Sequence, residues 1–213
     1  MKDKLQEMYN NIDNKNKKNN FIKTGFTNLL KPFEESMADI EKITKSFGLA
    51  IRIHNEIFRK YQSDTMEPQI NHSLRVALIL SEEIRMNEPD LICSALLHDI
   101  YTEGEPPQDI KDYIKFEIGE RIYKTISFFI KKTKKNDETS IEKQISKIKQ
   151  ADIYIKCIVL AERLDDLRSL KNSRRKDKIA RFKDETQEFF VPLAEKTNEK
   201  ILLKLIIALY ELK

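Results

Sequence analysis

Two side chains that commonly bind metal ions stand next to each other near the end of a predicted helix. Apolar residues recur at helical spacing behind Pro89 in residues 88–100, and His98 and Asp99 occupy the last turn. An imidazole and a carboxylate are costly to bury without a partner, and a divalent cation is a common partner for both. The alternative from these residues alone is a helix end where the histidine caps carbonyl groups and the aspartate faces water.

A second histidine has a spacing that favours the metal interpretation. The chain has 3 histidines, and His72 precedes His98 by one helix, a short turn and a second helix. Two antiparallel helices of that length return both imidazoles to the same end of the pair. The remaining histidine, His54, falls on the apolar face of a helix predicted over residues 36–60, a position more typical of a hydrogen-bonded core histidine than of a ligand.

Acidic residues recur on a later helix. Residues 140–171 form a long helical region, with an interruption predicted near 148–152, and Glu162 lies three and four residues before Asp165 and Asp166. These carboxylates can therefore share one helix face. Inside an apolar stretch they need a partner, which is either a cation or a structural ion pair with Arg163 or Arg168.

Two further groups of charged residues have both a functional and a plain interpretation. Arg59 and Lys60 end the helix of residues 36–60, where cations favour the helix dipole, but there they can also hold a phosphate or stack on a base. Glu103 and Glu105 lie in a predicted loop after Asp99. They either act as acid–base groups beside a metal or only solvate the loop.

The composition bounds the fold and the function class. Among 213 residues, 40% are hydrophobic and 35% are charged. The 4 Gly and 6 Pro are too few for the many turns of a β fold, so we expect an all-α protein. Residues 1–20 are predicted to be a loosely ordered Lys/Asn-rich leader and residues 21–213 a single domain. A net charge of +4 suits a polyanionic small molecule and does not by itself predict nucleic-acid binding.

The remaining compositional features concern location and helix boundaries. Cys93 and Cys157 lie in apolar helical stretches and are predicted to be core residues. The sequence has no apolar run of membrane-spanning length and no recognisable signal peptide, so we expect a cytoplasmic protein. Residues 21–33 are predicted to be transitional around Pro32. Single helices are predicted over residues 117–132 and 185–196.

Read together, five segments resemble the HD-domain metal phosphohydrolases, and within them the hydrolase domain of RelA/SpoT-type alarmone enzymes and the stand-alone small alarmone hydrolases. Residues 95–99 match the family's Ala-Leu-Leu-His-Asp, and residues 68–72 resemble its Pro-Tyr-Ile-x-His. Residues 160–170 are similar to Leu-Ala-Asp-Arg-Leu-His-Asn-Met-Arg-Thr-Leu. The other two segments are His54 with Arg59-Lys60, and residues 185–194. The resemblance covers about residues 38–197.

The resemblance implies an HD domain that holds one Mn²⁺ and hydrolyses the 3′-pyrophosphate of (p)ppGpp to GDP or GTP and pyrophosphate. The implied metal ligands are His72, His98, Asp99 and Glu162. The substrate is a guanine nucleotide alarmone, with no membrane or nucleic-acid partner. A homo-oligomer is left open.

The resemblance also implies roles for other residues. The implied substrate-binding residues are Arg59, Lys60, Arg163, Asp166 and Ser169. Glu103, with Thr102 beside it, is the candidate to orient the attacking water or carry its proton.

Three departures from the family pattern keep other functions open. Glu162 replaces an Asp, Thr102 and Glu103 replace a Glu-Asp pair, and Asp166 replaces an Asn. Asp165 or Asp166 is an alternative ligand to Glu162. The alternative functions are hydrolysis of another nucleotide, such as the 2′-phosphate of NADPH, and an alarmone-binding module without turnover.

Overall fold

The structure, a computed structural model, confirms an all-α protein: every described element is a helix or a helical turn. It describes residues 20–61, 69–100, 106–129, 141–171, 173 and 175–212, and within these ranges the side chains of 55–61 and 69 are outside the description. None of the described helices is long and apolar enough to cross a membrane.

The helices follow one another with short connections. The first part of the chain forms α1 (residues 20–30), α2 (Met37–Tyr61), α3 (Gln69–Leu78, continued by a π-helical turn Ile79–Ile84) and α4 (Pro89–Leu97). The middle forms α5 (Gln108–Asp112, continued by a π-helical turn Tyr113–Ile118), α6 (Glu120–Ser127) and α7 (Ile141–Gln150). The last part forms α8 (Ile153–Leu170), α9 (Lys176–Glu185, continued by a π-helical turn Thr186–Phe190), α10 (Val191–Glu195) and α11 (Glu199–Glu211).

Helix α4 is the centre of the core. Pro89 occupies its first turn, where a missing N–H costs nothing, and every residue from Leu91 to Leu97 is buried. It packs against α2, α3, α6 and α8, and Lys42 ties α2 to its N-terminal end by a 2.9 Å ion pair with Asp90. A helix that is apolar on all sides belongs in the middle of a bundle. His98, which directly follows α4, is thereby fixed inside the protein.

Helix α8 crosses the other side of this core. It begins at Asp152, whose carboxylate accepts a hydrogen bond from the Tyr154 amide at 2.9 Å. Cys157 on α8 and Cys93 on α4 are both fully buried, which confirms the prediction that they are core residues. Burial raises the pKa of both thiols to about 12, so neither is a reactive nucleophile.

Several predicted boundaries are wrong in detail. The segment around Pro32 is not transitional, since α1 runs into a 3₁₀ turn Lys31–Phe33 that has the proline at its start. The helix predicted from residue 117 begins only after Gly119, whose φ of 155° favours glycine and separates the preceding π turn from α6. The helix predicted over 185–196 is divided into the π turn and α10. Residues 1–19 of the predicted leader lie outside the described residues, and Asn20 is helical.

Candidate metal centre

Three helices bring together three of the four predicted metal ligands. His72 comes from α3, His98 follows the last turn of α4, and Glu162 comes from α8. One nitrogen or oxygen atom from each lies within 4.8 Å of the other two, and the two imidazole rings have their centroids 5.5 Å apart. This spacing allows a single cation to contact all three.

His98 has one ring nitrogen engaged and one left over. Its Nδ1 lies 2.7 Å from the carbonyl oxygen of Ala95, and because a carbonyl only accepts, Nδ1 carries the proton. The opposite nitrogen, Nε2, is buried and has no hydrogen-bond partner among the described residues. A buried, unpaired imidazole lone pair is unfavourable unless a ligand fills it. This orphaned nitrogen is the strongest sign that the site binds a cation.

His72 is held by an acid on α8. Its Nδ1 lies 2.8 Å from Oδ2 of Asp165, and Arg75 donates to the same carboxylate from Nε at 2.7 Å and from Nη2 at 3.1 Å. Burial acts to raise the pKa of Asp165, but the hydrogen bonds from His72 and Arg75 outweigh it, and the pKa is lowered. At His72, burial acts to lower the pKa and the hydrogen bond to Asp165 acts to raise it. The pKa of His72 is raised overall. Asp165 is therefore committed to His72 and Arg75 and does not take the place of Glu162.

Asp99 is the predicted ligand that the structure does not bring into the group. It is half-buried beside His98, and its charge acts on His54, but it is not part of the three-residue group described above. The predicted role of Asp99 as a ligand therefore stays a prediction.

Asp166 lies next to the group. It is half-buried, and burial followed by the nearby charge of Glu162 raises its pKa to about 6. A carboxyl with this pKa changes its charge near neutral pH. The alternative that Asp166 replaces Glu162 as a ligand is not supported, since the three-residue group contains Glu162 and not Asp166.

Arg163, predicted to bind substrate, is part of a structural contact. Its guanidinium donates to Thr186 Oγ1 at 2.8 Å and, from Nη2, to the Phe182 carbonyl at 2.9 Å and Glu185 at 3.0 Å. It is also stacked between the rings of Phe182 and Phe190, 3.6 and 4.3 Å from their centroids. The residue is buried, and its role is to hold α8 against α9. The substrate-binding role that the family motif implies for this arginine stays a prediction.

Ser169 is exposed near the C-terminal end of α8, one helical turn after Asp165. Its hydroxyl donates to the Asp165 carbonyl at 2.9 Å, and it lines an open cavity of about 360 Å³ between α3 and α8. Arg75 and Arg168 also line this cavity. Asp165, which also lines this cavity, contacts His72, whereas none of the three residues of the group lines it. The substrate role of Ser169 stays a prediction.

His54 is buried, as its place on the apolar face of the helix predicted. Its Nε2 has no hydrogen-bond partner among the described residues. Burial lowers the pKa of His54 to about 4, and the nearby His98 and His72 also lower it, while the charge of Asp99 acts to raise it. His54 is therefore a neutral imidazole near the site. Phe129, which sequence reasoning missed, packs edge-to-face on His98 with 5.6 Å between ring centroids.

Four predicted residues fall outside what the structure describes. Thr102 and Glu103 lie in the range 101–105, outside the described residues. Arg59 and Lys60 are at the C-terminal end of α2, but their side chains are not described. Their predicted roles stay predictions.

The donor set fits a divalent cation. Two imidazole nitrogens, one of them orphaned, and a carboxylate oxygen suit Mn²⁺, Fe²⁺ or Zn²⁺ rather than the all-oxygen sites of Ca²⁺. A helical bundle with a histidine and carboxylate centre is consistent with a metal-binding HD domain. Residues 46–198 match the family described as the HD domain, and the chain belongs to this family.

Two individual proteins are similar in sequence to this chain. The chain is 32% identical over 162 residues to the guanosine-3′,5′-bis(diphosphate) 3′-pyrophosphohydrolase of Aquifex aeolicus (strain VF5), which covers 73% of this chain and 21% of that protein. It is 28% identical over 125 residues to the guanosine-3′,5′-bis(diphosphate) 3′-pyrophosphohydrolase MESH1 of Drosophila melanogaster, covering 55% of this chain and 63% of that protein. The matched region is thus less than two thirds of either relative.

A solved structure has the same fold. It is described as "A metazoan ortholog of SpoT hydrolyzes ppGpp and plays a role in starvation responses", and it matches with a TM-score of 0.64 over 80% of this chain and 94% of that one. The sequence identity is 21%, so this likeness concerns the fold.

Proposed function

We propose that this protein is a Mn²⁺-dependent hydrolase of the 3′-pyrophosphate of (p)ppGpp, releasing pyrophosphate and GDP or GTP. The observation that supports it most is the convergence of His72, His98 and Glu162, with the Nε2 of His98 buried and unpaired. The named activity of the Aquifex and Drosophila relatives gives the reaction its substrate.

The proposed ligands each present one atom to the cation. His72 and His98 have their Nδ1 atoms engaged by Asp165 and Ala95, which leaves the two Nε2 atoms for the cation. Glu162 adds a negative charge, and Asp99 is proposed to complete the set. When bound, the cation lowers the pKa of a water ligand and neutralises charge on phosphoryl oxygens.

The chain's own groups would bind and orient the nucleotide. Ser169 and the cavity between α3 and α8 offer room beside the centre for a ribose or base. Arg59 and Lys60 are proposed to hold the base and phosphates. Asp166, which stands where the family has an Asn, is proposed to contact the nucleotide. Burial and the charge of Glu162 raise its pKa to about 6, so it can donate a hydrogen bond only below that pH.

Proton transfer is assigned to the segment after α4. Glu103 is the proposed group that orients the attacking water and takes its proton, with Thr102 beside it as a hydrogen-bonding partner. A Glu103→Gln variant is expected to keep metal and nucleotide binding and to lower kcat by about 100-fold or more.

The test is turnover of defined nucleotides. Purified protein with Mn²⁺ and ppGpp should release pyrophosphate and GDP, measured by anion-exchange chromatography, and the His98→Gln variant should not. Orthophosphate release from NADPH, with ppGpp inert, would overturn the proposal in favour of another phosphohydrolase. Tight ppGpp binding without turnover would overturn it in favour of a binding module.

A different nucleotide remains the second candidate because of Asp166. An acidic side chain beside a phosphate site repels a polyphosphate more than the family's Asn would, since Asp166 carries a charge above pH about 6. A substrate with fewer phosphate charges near this residue avoids that cost. The nucleotide panel in the same assay distinguishes the two candidates.

A further inference from the structure

Asp165 is a buried acid in a place where the resembling family motif has a histidine. It is 3% exposed and lies on α8, and all the described hydrogen bonds of its carboxylate cross from α8 to α3. An isolated carboxylate at this depth would be strongly unfavourable, so its partners must be part of the design of the site.

The carboxylate determines which nitrogen of His72 carries a proton. An ionised carboxylate only accepts hydrogen bonds, and its Oδ2 lies 2.8 Å from His72 Nδ1. The proton is therefore on Nδ1, and Nε2 keeps its lone pair. A histidine at position 165 would not impose this choice, because an imidazole nitrogen can be either donor or acceptor.

Arg75 fixes the orientation of the acid. It stands three residues after His72 on α3, so both side chains leave the same helix face. Its Nε reaches Oδ1 at 2.7 Å and its Nη2 reaches Oδ2 at 3.1 Å, a two-pronged contact that holds the carboxylate plane. With both oxygens engaged, Asp165 cannot rotate away from His72.

We propose that Asp165 and Arg75 are positioning residues of the metal centre, which together hold His72 as the Nδ1–H tautomer with Nε2 directed to the cation. The pair does for His72 what the Ala95 carbonyl does for His98. Partners of this kind also raise the basicity of a metal-bound imidazole, and a carboxylate does so more strongly than a neutral carbonyl. This proposal rests on the proposed metal function of His72.

The first experiment measures Mn²⁺ affinity by calorimetry on the full chain. Asp165→Asn keeps the shape and loses the charge, and we expect affinity to fall about 10–100-fold, in the range found for such partners. Arg75→Met is expected to cost less, about 3–10-fold, because Asp165 stays in place. The matched control is Arg168→Met, which removes an arginine of the same cavity that pairs with Glu83 rather than Asp165, and should leave affinity within about 2-fold.

The second experiment reads the tautomer without metal. Long-range ¹H–¹⁵N spectra of the metal-free protein, with His72 assigned by comparison with His72→Gln, should show an Nδ1–H ring in the wild type and a shift toward Nε2–H in Asp165→Asn. A purely structural ion pair would leave this ratio unchanged. Circular dichroism confirms that each variant is folded, and Asp165→His, which introduces the residue of the family motif, provides the tautomer test if Asp165→Asn does not fold.

The outcomes separate this proposal from the one it rests on. If wild type binds Mn²⁺ and perturbs the His72 resonances, but Asp165→Asn binds equally well with the same tautomer, the positioning role is wrong and the metal site stands. If Mn²⁺ leaves the His72 resonances of the wild type unchanged, the proposed metal site itself is wrong.

Discussion

Glu162 and Arg163 are neighbours on α8, yet they belong to two different kinds of polar site. Glu162 turns toward His72 and His98, in a group where one buried nitrogen has no partner. Arg163 turns toward α9, where three hydrogen bonds and two aromatic rings surround its guanidinium. Both sites are buried and charged, but only the first has unfilled bonding capacity.

The difference gives a criterion for function. Buried polar groups in proteins are nearly always paired, so a saturated cluster needs no ligand to explain it. A cluster with an orphaned atom, such as His98 Nε2, carries an energetic cost that a bound cation would remove. We therefore expect the first site to be sensitive in binding and catalysis, and the second to be sensitive in stability.

The largest expected effect concerns His98. Replacing it with Gln keeps a donor toward Ala95 but removes the Nε2 lone pair, so Mn²⁺ affinity should fall more than about 100-fold and turnover more than about 1000-fold. The free energy of unfolding of the metal-free protein should change by only about 1 kcal/mol, since Nε2 makes no bond there. Metal analysis measures the binding and chemical denaturation measures the unfolding free energy. A large loss of stability without loss of metal binding would mean that His98 is a structural residue and not a ligand.

The reverse pattern is expected for Arg163. Arg163→Met keeps the aliphatic contact with Phe182 and Phe190 but leaves Glu185 and the Phe182 carbonyl without their donor, which should cost about 2–4 kcal/mol of unfolding free energy. The kcat of the folded fraction should stay within about 3-fold, as a structural contact predicts. Loss of substrate affinity without loss of stability would support the substrate-binding role that the motif suggested.

A paired surface cluster sharpens the comparison through pH. Glu83 receives two hydrogen bonds from Arg168 and an ion pair from Lys204, and mainly the Arg168 contact lowers its pKa to about 2. The unfolded chain, with an ordinary pKa of 4.5, takes up the proton first as the pH falls. The stability that Glu83 contributes is therefore complete above pH 4.5 and is lost as the pH falls toward 2.

The corresponding variant is Glu83→Gln. At pH 7 it should lower the unfolding free energy by about 1–3 kcal/mol, given its partly exposed position, and the difference from wild type should shrink below pH about 4.5. Denaturation curves at several pH values measure this. A difference that does not depend on pH would mean that the charge of Glu83 contributes nothing.

The smallest expected effect concerns Asp166, at the border of the metal centre. Asp166→Asn removes a charge beside the proposed phosphate site, so KM for ppGpp should fall about 3–10-fold at pH 8. At pH 5 the KM should change little, because the wild-type carboxyl, with its pKa of about 6, is then protonated. Steady-state kinetics at the two pH values test it. A raised KM would indicate that the carboxylate accepts a hydrogen bond from the substrate.

Much of the architecture could be predicted because helix periodicity reports burial directly. The spacing of apolar residues gave α2, α4 and α8 close to their observed bounds, and the 26-residue separation correctly predicted that His72 and His98 meet. The break at Gly119 was missed because the apolar pattern continues across it, while the backbone conformation does not.

The partners of the site residues were harder to predict. Asp99 stands next to His98 in sequence but outside the three-residue group, and Arg163 stands next to Glu162 but faces α9. Sequence spacing identifies a helix face to within one residue, whereas a ligand must be placed within one bond length. The pairing of Arg75 with Asp165 joins residues 90 positions apart, and its only local signal is that Arg75 follows His72 by three residues.

The most direct test is a crystal structure of the full chain soaked with Mn²⁺, with anomalous diffraction recorded at the manganese edge. We expect one strong anomalous peak within coordination distance of the Nε2 atoms of His72 and His98 and a carboxylate oxygen of Glu162. A peak elsewhere, or no peak between the two imidazoles, would contradict the metal centre and the function proposed from it.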